Sequence, residues 1–115
     1  MAAENSMTWA GLNGTVHRFW FVDLSLAGLG SQPGCYMFVR LTNQTWVPLY
    51  IGIADDLRAR LTGHERWAEA KGQGATHLVV QGLDALDARE KAERDLIGHW
   101  NPHLNTHYRT DRKAG

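Results

Sequence analysis

The fold is decided by one continuous stretch: Gly34-Cys35-Tyr36-Met37-Phe38-Val39-Arg40-Leu41, then Thr42-Asn43-Gln44-Thr45, then Trp46-Val47-Pro48-Leu49-Tyr50-Ile51-Gly52-Ile53. Residues 35–41 are apolar and rich in aromatic and β-branched side chains, as a strand requires. Thr42-Asn43-Gln44 is turn-like, and residues 46–53 read as a second strand. The short connection predicts an antiparallel hairpin. Pro48 donates no backbone hydrogen bond, so the second strand is expected at a sheet edge or with a late start.

Downstream, Asp55 or Asp56 is placed to cap a helix running to about Ala70, and Lys71-Gly72-Gln73-Gly74 ends it. His77-Leu78-Val79-Val80-Gln81 reads as a third strand, broken by Gly82. Asp84 or Asp87 is the expected cap of a second helix to about Trp100, and Pro102 stops it. Upstream, residues 15–26 alternate weakly around Phe19-Trp20-Phe21-Val22 and allow an extra N-terminal strand. Residues 1–14 read as loose. The expected class is a small α/β (α+β) domain, a three-stranded and largely antiparallel sheet packed with helices. The domain is expected over 15–106, with a basic tail over 107–115 that carries Arg109, Arg112 and Lys113 against Asp111.

With 115 residues the chain suits one domain with its own core. Five Trp and a hydrophobic share of 43% argue against disorder. Formal net charge is zero, so a nucleic-acid-binding surface must concentrate its positive charge locally. The single cysteine, Cys35, rules out an intrachain disulfide and fits a reducing compartment, which makes the cytoplasm the expected location. No apolar run reaches the length of a membrane span, and residues 1–9 lack the pattern of a signal peptide, so no membrane partner is expected.

Helical periodicity isolates residues that do not suit their positions. On the second helix Leu86, Leu96, Ile97 and Trp100 share a face, and Glu93 falls inside that stripe. Asp87, Lys91, Arg94, Asp95 and Gly98 lie opposite, on the expected solvated side. A carboxylate among apolar neighbours needs a cation or strong donors. A structural ion pair, a protonated acid and a metal ligand all satisfy that need. On the first helix Leu57, Leu61 and Ala68 mark the buried face, with Arg60, His64 and Trp67 on or beside it. Singly, His64 is a hydrogen-bonded core histidine and Arg60 a salt-bridge partner for Glu93. Together with Glu93 they look more like a site. Tyr36 and Tyr50 sit in the hairpin strands next to glycine-containing triplets, where a tyrosine ordinarily packs its ring and keeps its hydroxyl at the rim.

Gly34-Cys35-Tyr36 and Tyr50-Ile51-Gly52, followed by Arg60, His64, Glu93 and Asn105 in order, resemble the signature of the GIY-YIG nuclease superfamily. The match runs from about Pro33 to Asn105. Cys35 replaces the usual branched aliphatic residue, and Ile53 stands where many relatives carry lysine. The resemblance implies a metal-dependent endonuclease that leaves 5′-phosphate and 3′-hydroxyl ends. Glu93 would then bind one Mg²⁺ or Mn²⁺ and Arg60 would grip a phosphate oxygen. Tyr36 would position or deprotonate the attacking water, His64 could accept that proton, Tyr50 would donate to the phosphate or shape the pocket, and Asn105 would tie the site to the backbone. The implied partner is nucleic acid, DNA first, with a homodimer or a separate targeting partner for an enzyme that cuts both strands. A non-catalytic nucleic-acid-binding module or a partner-activated subunit is the alternative.

Overall fold

A computed structural model describes residues 5–109. The elements follow the order β1 (Ser6–Ala10), β2 (Val16–Val22), β3 (Gly34–Thr42), β4 (Thr45–Ala54), α1 (Leu57–Leu61), α2 (Glu65–Gly72), β5 (His77–Gly82) and α3 (Leu86–Trp100). The strands form one five-stranded sheet in the order β1-β2-β5-β3-β4. Every pairing in it is antiparallel.

Two more strands are present than the three expected. Residues 15–26 do supply one of them, β2. Residues 6–10, expected to be loose, supply the other, with Trp9 fully buried. The reason is tertiary: β1 has a partner in β2, and Trp9 packs edge-on to Trp100 of α3 at 5.4 Å between ring centroids. A five-residue segment carries too few alternating positions to announce this by itself.

The β3–β4 hairpin forms as expected, and β4 is the outer strand. Pro48 sits at an irregularity: the register shifts between Phe38 and Val39, which pair with Tyr50 and Pro48. Leu49 is the extra residue, and its carbonyl accepts a hydrogen bond from Leu104 N–H at 3.0 Å. Interior strand β3, between β5 and β4, is buried continuously from Gly34 to Val39, because helices cover both sheet faces. One core holds Cys35, Met37, Val39, Ile51 and Val79 with Leu96 and Ile97 of α3. The other holds Tyr36, Phe38, Leu78 and Val80 with Leu57, Leu61 and Ala70 of α1 and α2.

The first helix is two helices, not one. Asp56 caps α1 as expected, accepting from Ala59 N–H at 3.0 Å. The chain then turns at Gly63, whose φ of +65° favours glycine. Helix α2 starts anew with His64 as its N-cap. Restarting the helix shifts its phase, so Ala70 is buried where Ala68 was expected. On α3 the N-cap is Ala85, without a side-chain cap, in place of Asp84 or Asp87. Leu86, expected in the core, is 53% exposed in the first turn, beyond the reach of the sheet. Gly98 is buried and Asp95 is largely covered, because β1 and the loop after it pack on the side that periodicity assigned to solvent.

Candidate active site

The two signature glycines are each demanded by a close approach. A Cβ on Gly34 would lie 2.2 Å from the carbonyl oxygen of Gln81, so the bare backbone lets β5 dock against β3. A Cβ on Gly52 would lie 2.4 Å from the Tyr36 hydroxyl. Tyr36 and Gly52 are register partners, so the phenol lies across the outer strand above the missing side chain.

Around that phenol, four rings assemble on the α1/α2 side of the sheet. Tyr36 is 6.2 Å from Tyr50 and 5.4 Å from His64, and Tyr50 is 5.5 Å from His64, between centroids. Phe38 lies beneath, 5.9 Å from Tyr50 and 5.0 Å from His64. The break after α1 is what delivers His64. As N-cap, its Nδ1 accepts the Arg66 N–H at 2.9 Å, while its Nε2 faces the Tyr36 hydroxyl at 2.7 Å. An Nδ1 that accepts carries no hydrogen, so the neutral ring holds its proton on Nε2 and donates it to the phenol oxygen. Burial, with Arg60 adding to it, lowers the His64 pKa to about 4, so the ring is neutral at physiological pH. Burial pushes the Tyr36 phenol well above its ordinary value, Tyr50 adds to the rise, and Arg60 opposes it.

Arg60 projects from the last turn of α1 with its charge felt at both Tyr36 and Tyr50. Its partner is not Glu93. Nη1 and Nη2 donate to the two carboxylate oxygens of Glu65 at 2.9 and 2.7 Å. Glu65 escaped the sequence reading, because a helix running unbroken past Gly63 would not turn residue 65 back toward residue 60.

Glu93 approaches from the other side. Helix α3 packs on the sheet face opposite the tyrosines, and the Glu93 charge is felt at Cys35 on that face. Burial, with Glu90 adding to it and Arg94 opposing, raises the Glu93 pKa above its ordinary value. Among the described residues no hydrogen bond or salt bridge engages its carboxylate. Asn105 lies on the outer edge of β4. Its Oδ1 accepts from Ile51 N–H at 2.8 Å and its Nδ2 donates to Ile51 C=O at 2.9 Å. Thus Tyr36, Tyr50, Arg60 and His64 form one group on one sheet face and Asn105 locks the edge of β4, whereas Glu93, carried by α3 on the opposite face, does not converge with Arg60 and His64 as the helical periodicity suggested. Among the described residues no three His, Cys, Asp or Glu side chains cluster as a metal-ligand set.

The chain has a GIY-YIG-like fold. It superposes on the GIY-YIG N-terminal endonuclease domain of UvrC from Thermotoga maritima, bound to its catalytic magnesium, with a TM-score of 0.55 and 27% identity. That match covers 67% of this chain and 86% of the other. A tyrosine-to-phenylalanine variant of the same domain, bound to its catalytic divalent cation, matches with a TM-score of 0.54 and 28% identity over the same shares. No protein-family model matches the chain, and no curated protein does. The GIY-YIG-like fold here is a nuclease fold, and among the described residues no helix is long and apolar enough to cross a membrane.

Proposed function

We propose that this chain is a metal-dependent endonuclease that hydrolyses phosphodiester bonds in DNA, leaving 5′-phosphate and 3′-hydroxyl ends. The observation that carries the reading is the buried Tyr36 hydroxyl, which receives the His64 N–H at 2.7 Å beside a guanidinium. A hydroxyl fixed from one side presents its remaining hydrogen-bonding capacity in one direction, as an attacking water requires. Arg60 is the phosphate-gripping group, its planar fork matched to two phosphate oxygens. Tyr50 walls the phosphate pocket, and Asn105 holds β4 at the register that sets Tyr50 and Gly52. With Nδ1 engaged by the α2 backbone, His64 holds its proton on Nε2, so its role is to orient and stabilise the phenol oxygen instead of accepting its proton.

Glu93 fits a hard divalent cation. It is a half-buried carboxylate without a hydrogen-bond partner among the described residues, and Mg²⁺ retains enough waters to be held by one carboxylate. The cation, Mg²⁺ or Mn²⁺, supplies charge stabilisation to the phosphate and the leaving oxygen. A cytoplasmic setting, and a homodimer or separate targeting partner for cutting both strands, belong to the same reading.

The test is cleavage of single-stranded, duplex and branched DNA with Mg²⁺ or Mn²⁺, alongside Mn²⁺ binding followed by electron paramagnetic resonance. Activity and Mn²⁺ binding are both expected to disappear in Glu93→Ala. Cleavage that survives this substitution, or a wild type that cuts nothing in the panel, refutes the proposal. One observation favours a second reading, a binding module or partner-activated subunit: Arg60 is already occupied by Glu65. DNA retention in EDTA without cutting after metal is restored would select it.

A further inference from the structure

Phosphate and carboxylate compete for the same fork. The Arg60–Glu65 contact is bidentate, with two parallel N–H···O bonds at 2.9 and 2.7 Å, the arrangement in which arginine holds a phosphate. The residue proposed to grip the scissile phosphate therefore already carries an anion of similar shape. The pair is accessible, with side-chain exposures of 37% for Arg60 and 67% for Glu65. Exposure to solvent limits the Coulomb gain even of a bidentate pair, so an anion of matching shape can exchange with the carboxylate. Glu65 is also the first residue of α2, where the positive end of the helix favours a carboxylate whether or not Arg60 is bound. Releasing Arg60 therefore leaves Glu65 in a favourable position. Glu65 is not a relic of the neighbouring pair, because Arg66 has its own partner in Glu69 at 2.8 Å.

Resting on the nuclease reading, we infer that Glu65 is an intramolecular stand-in for the substrate phosphate, a specificity-determining residue that must be displaced from Arg60 before a phosphodiester is bound. An isolated phosphate must outcompete a tethered carboxylate for one guanidinium. A nucleic-acid strand brings further phosphates to other contacts at the same time and wins the exchange through them. The stand-in thus selects polymers over mononucleotides and inorganic phosphate, and keeps the fork assembled beside Tyr36 while no substrate is present. The Glu65 pKa is pulled down to about 2 by the Arg60 bond, so the competitor is charged at every pH at which the enzyme would work.

The experiment is fluorescence anisotropy in EDTA with a labelled duplex bearing single-stranded tails, using wild type, Glu65→Gln, Glu69→Gln, Arg60→Ala and the Arg60→Ala/Glu65→Gln double variant. Glu65→Gln is expected to tighten binding about 2- to 5-fold. The gain should exceed that of Glu69→Gln, which removes the same charge from the next turn, and it should vanish in the Arg60→Ala background. With Mg²⁺, KM should fall by a similar factor while kcat holds. Equal gains from Glu65→Gln and Glu69→Gln, or a gain that persists without Arg60, reduce the effect to net charge and overturn the inference. A fall in kcat without a fall in KM makes Glu65 a support for Arg60 instead of a competitor, and also overturns it. Wild-type cleavage with unaltered binding in Glu65→Gln removes the stand-in alone. Failure of every variant to bind removes the nuclease reading and the stand-in with it.

Discussion

Nε2 of His64 lies 2.7 Å from the Tyr36 hydroxyl while Nδ1 of the same ring caps helix α2. One imidazole thereby joins the start of a helix to the centre of the candidate site. Protonation would place a hydrogen on Nδ1 and break the cap. The unfolded ring takes up its proton near pH 6.5 and the folded ring only near 4, so between these values the unfolded chain holds the extra proton. The His64 contribution is complete above pH 6.5 and declines as pH falls toward 4, by about 3 kcal/mol. Urea midpoints measured from pH 7 to pH 4 should show this decline, and His64→Asn, which keeps a capping side chain, should remove that part of it. An identical pH slope in the variant would show that the ring does not titrate as described.

Adding one methyl group at Gly52 should disable the site. The new Cβ would meet the Tyr36 hydroxyl at 2.4 Å and its ring carbon at 2.5 Å, and a buried ring pinned by His64 has little room to move. Gly52→Ala is expected to cost about 1–3 kcal/mol in stability. It should also lower cleavage more than the loss of folded protein accounts for, about as much as Tyr36→Phe does. Thermal melts and single-turnover rates check both expectations, and a fully active Gly52→Ala protein would contradict the close contact.

Asn105 satisfies both outward-facing backbone groups of Ile51. Asn105→Ala leaves these buried groups without a partner and should cost about 1–3 kcal/mol. Asn105→Asp should be worse at neutral pH, because a carboxylate oxygen would then face the Ile51 carbonyl. Amide hydrogen exchange reads the site directly: the Ile51 N–H should exchange faster in Asn105→Ala while amides of β5 stay protected. Unchanged Ile51 protection would mean that the amide bridge contributes nothing.

His17 and Asp95 form a covered pair at 2.7 Å, joining β2 to α3. Asp95 also accepts the Asn13 N–H at 3.0 Å, so it fastens the β1–β2 loop as well. The bonds from His17 and the loop amides outweigh burial and hold the Asp95 carboxyl below its ordinary value. Asp95→Ala should lower stability by roughly 2–4 kcal/mol, since it strands His17. A double-mutant cycle with His17→Ala should return a coupling of about 1–3 kcal/mol. Additive single effects would show the contact to be incidental.

The hairpin and the late helix were legible because long apolar runs and a clear 3.6-residue period leave few alternatives. Order and spacing singled out residues 36, 50, 60, 64, 93 and 105, and of these the structure gathers Tyr36, Tyr50, Arg60 and His64 on one face while α3 carries Glu93 on the other. What escaped was tertiary. Trp9 and Asp95 take their burial from one another's neighbourhood, and neither carries a local signal for it. The restart at Gly63 was hidden inside a plausible helical pattern. It changed the most, since it made His64 a cap, turned Nε2 toward Tyr36 and brought Glu65 onto Arg60.

The clamp on β4 also constrains how the molecule comes into being. Asn105 meets Ile51 from 54 positions further along the sequence. While the chain is being synthesised, the outer strand emerges first and waits with its backbone uncovered until α3 and the loop beyond it have been made and docked. Nascent chains stalled between those two points would carry an open edge, able to recruit a strand from a neighbouring polypeptide, and they are the species on which a chaperone would act.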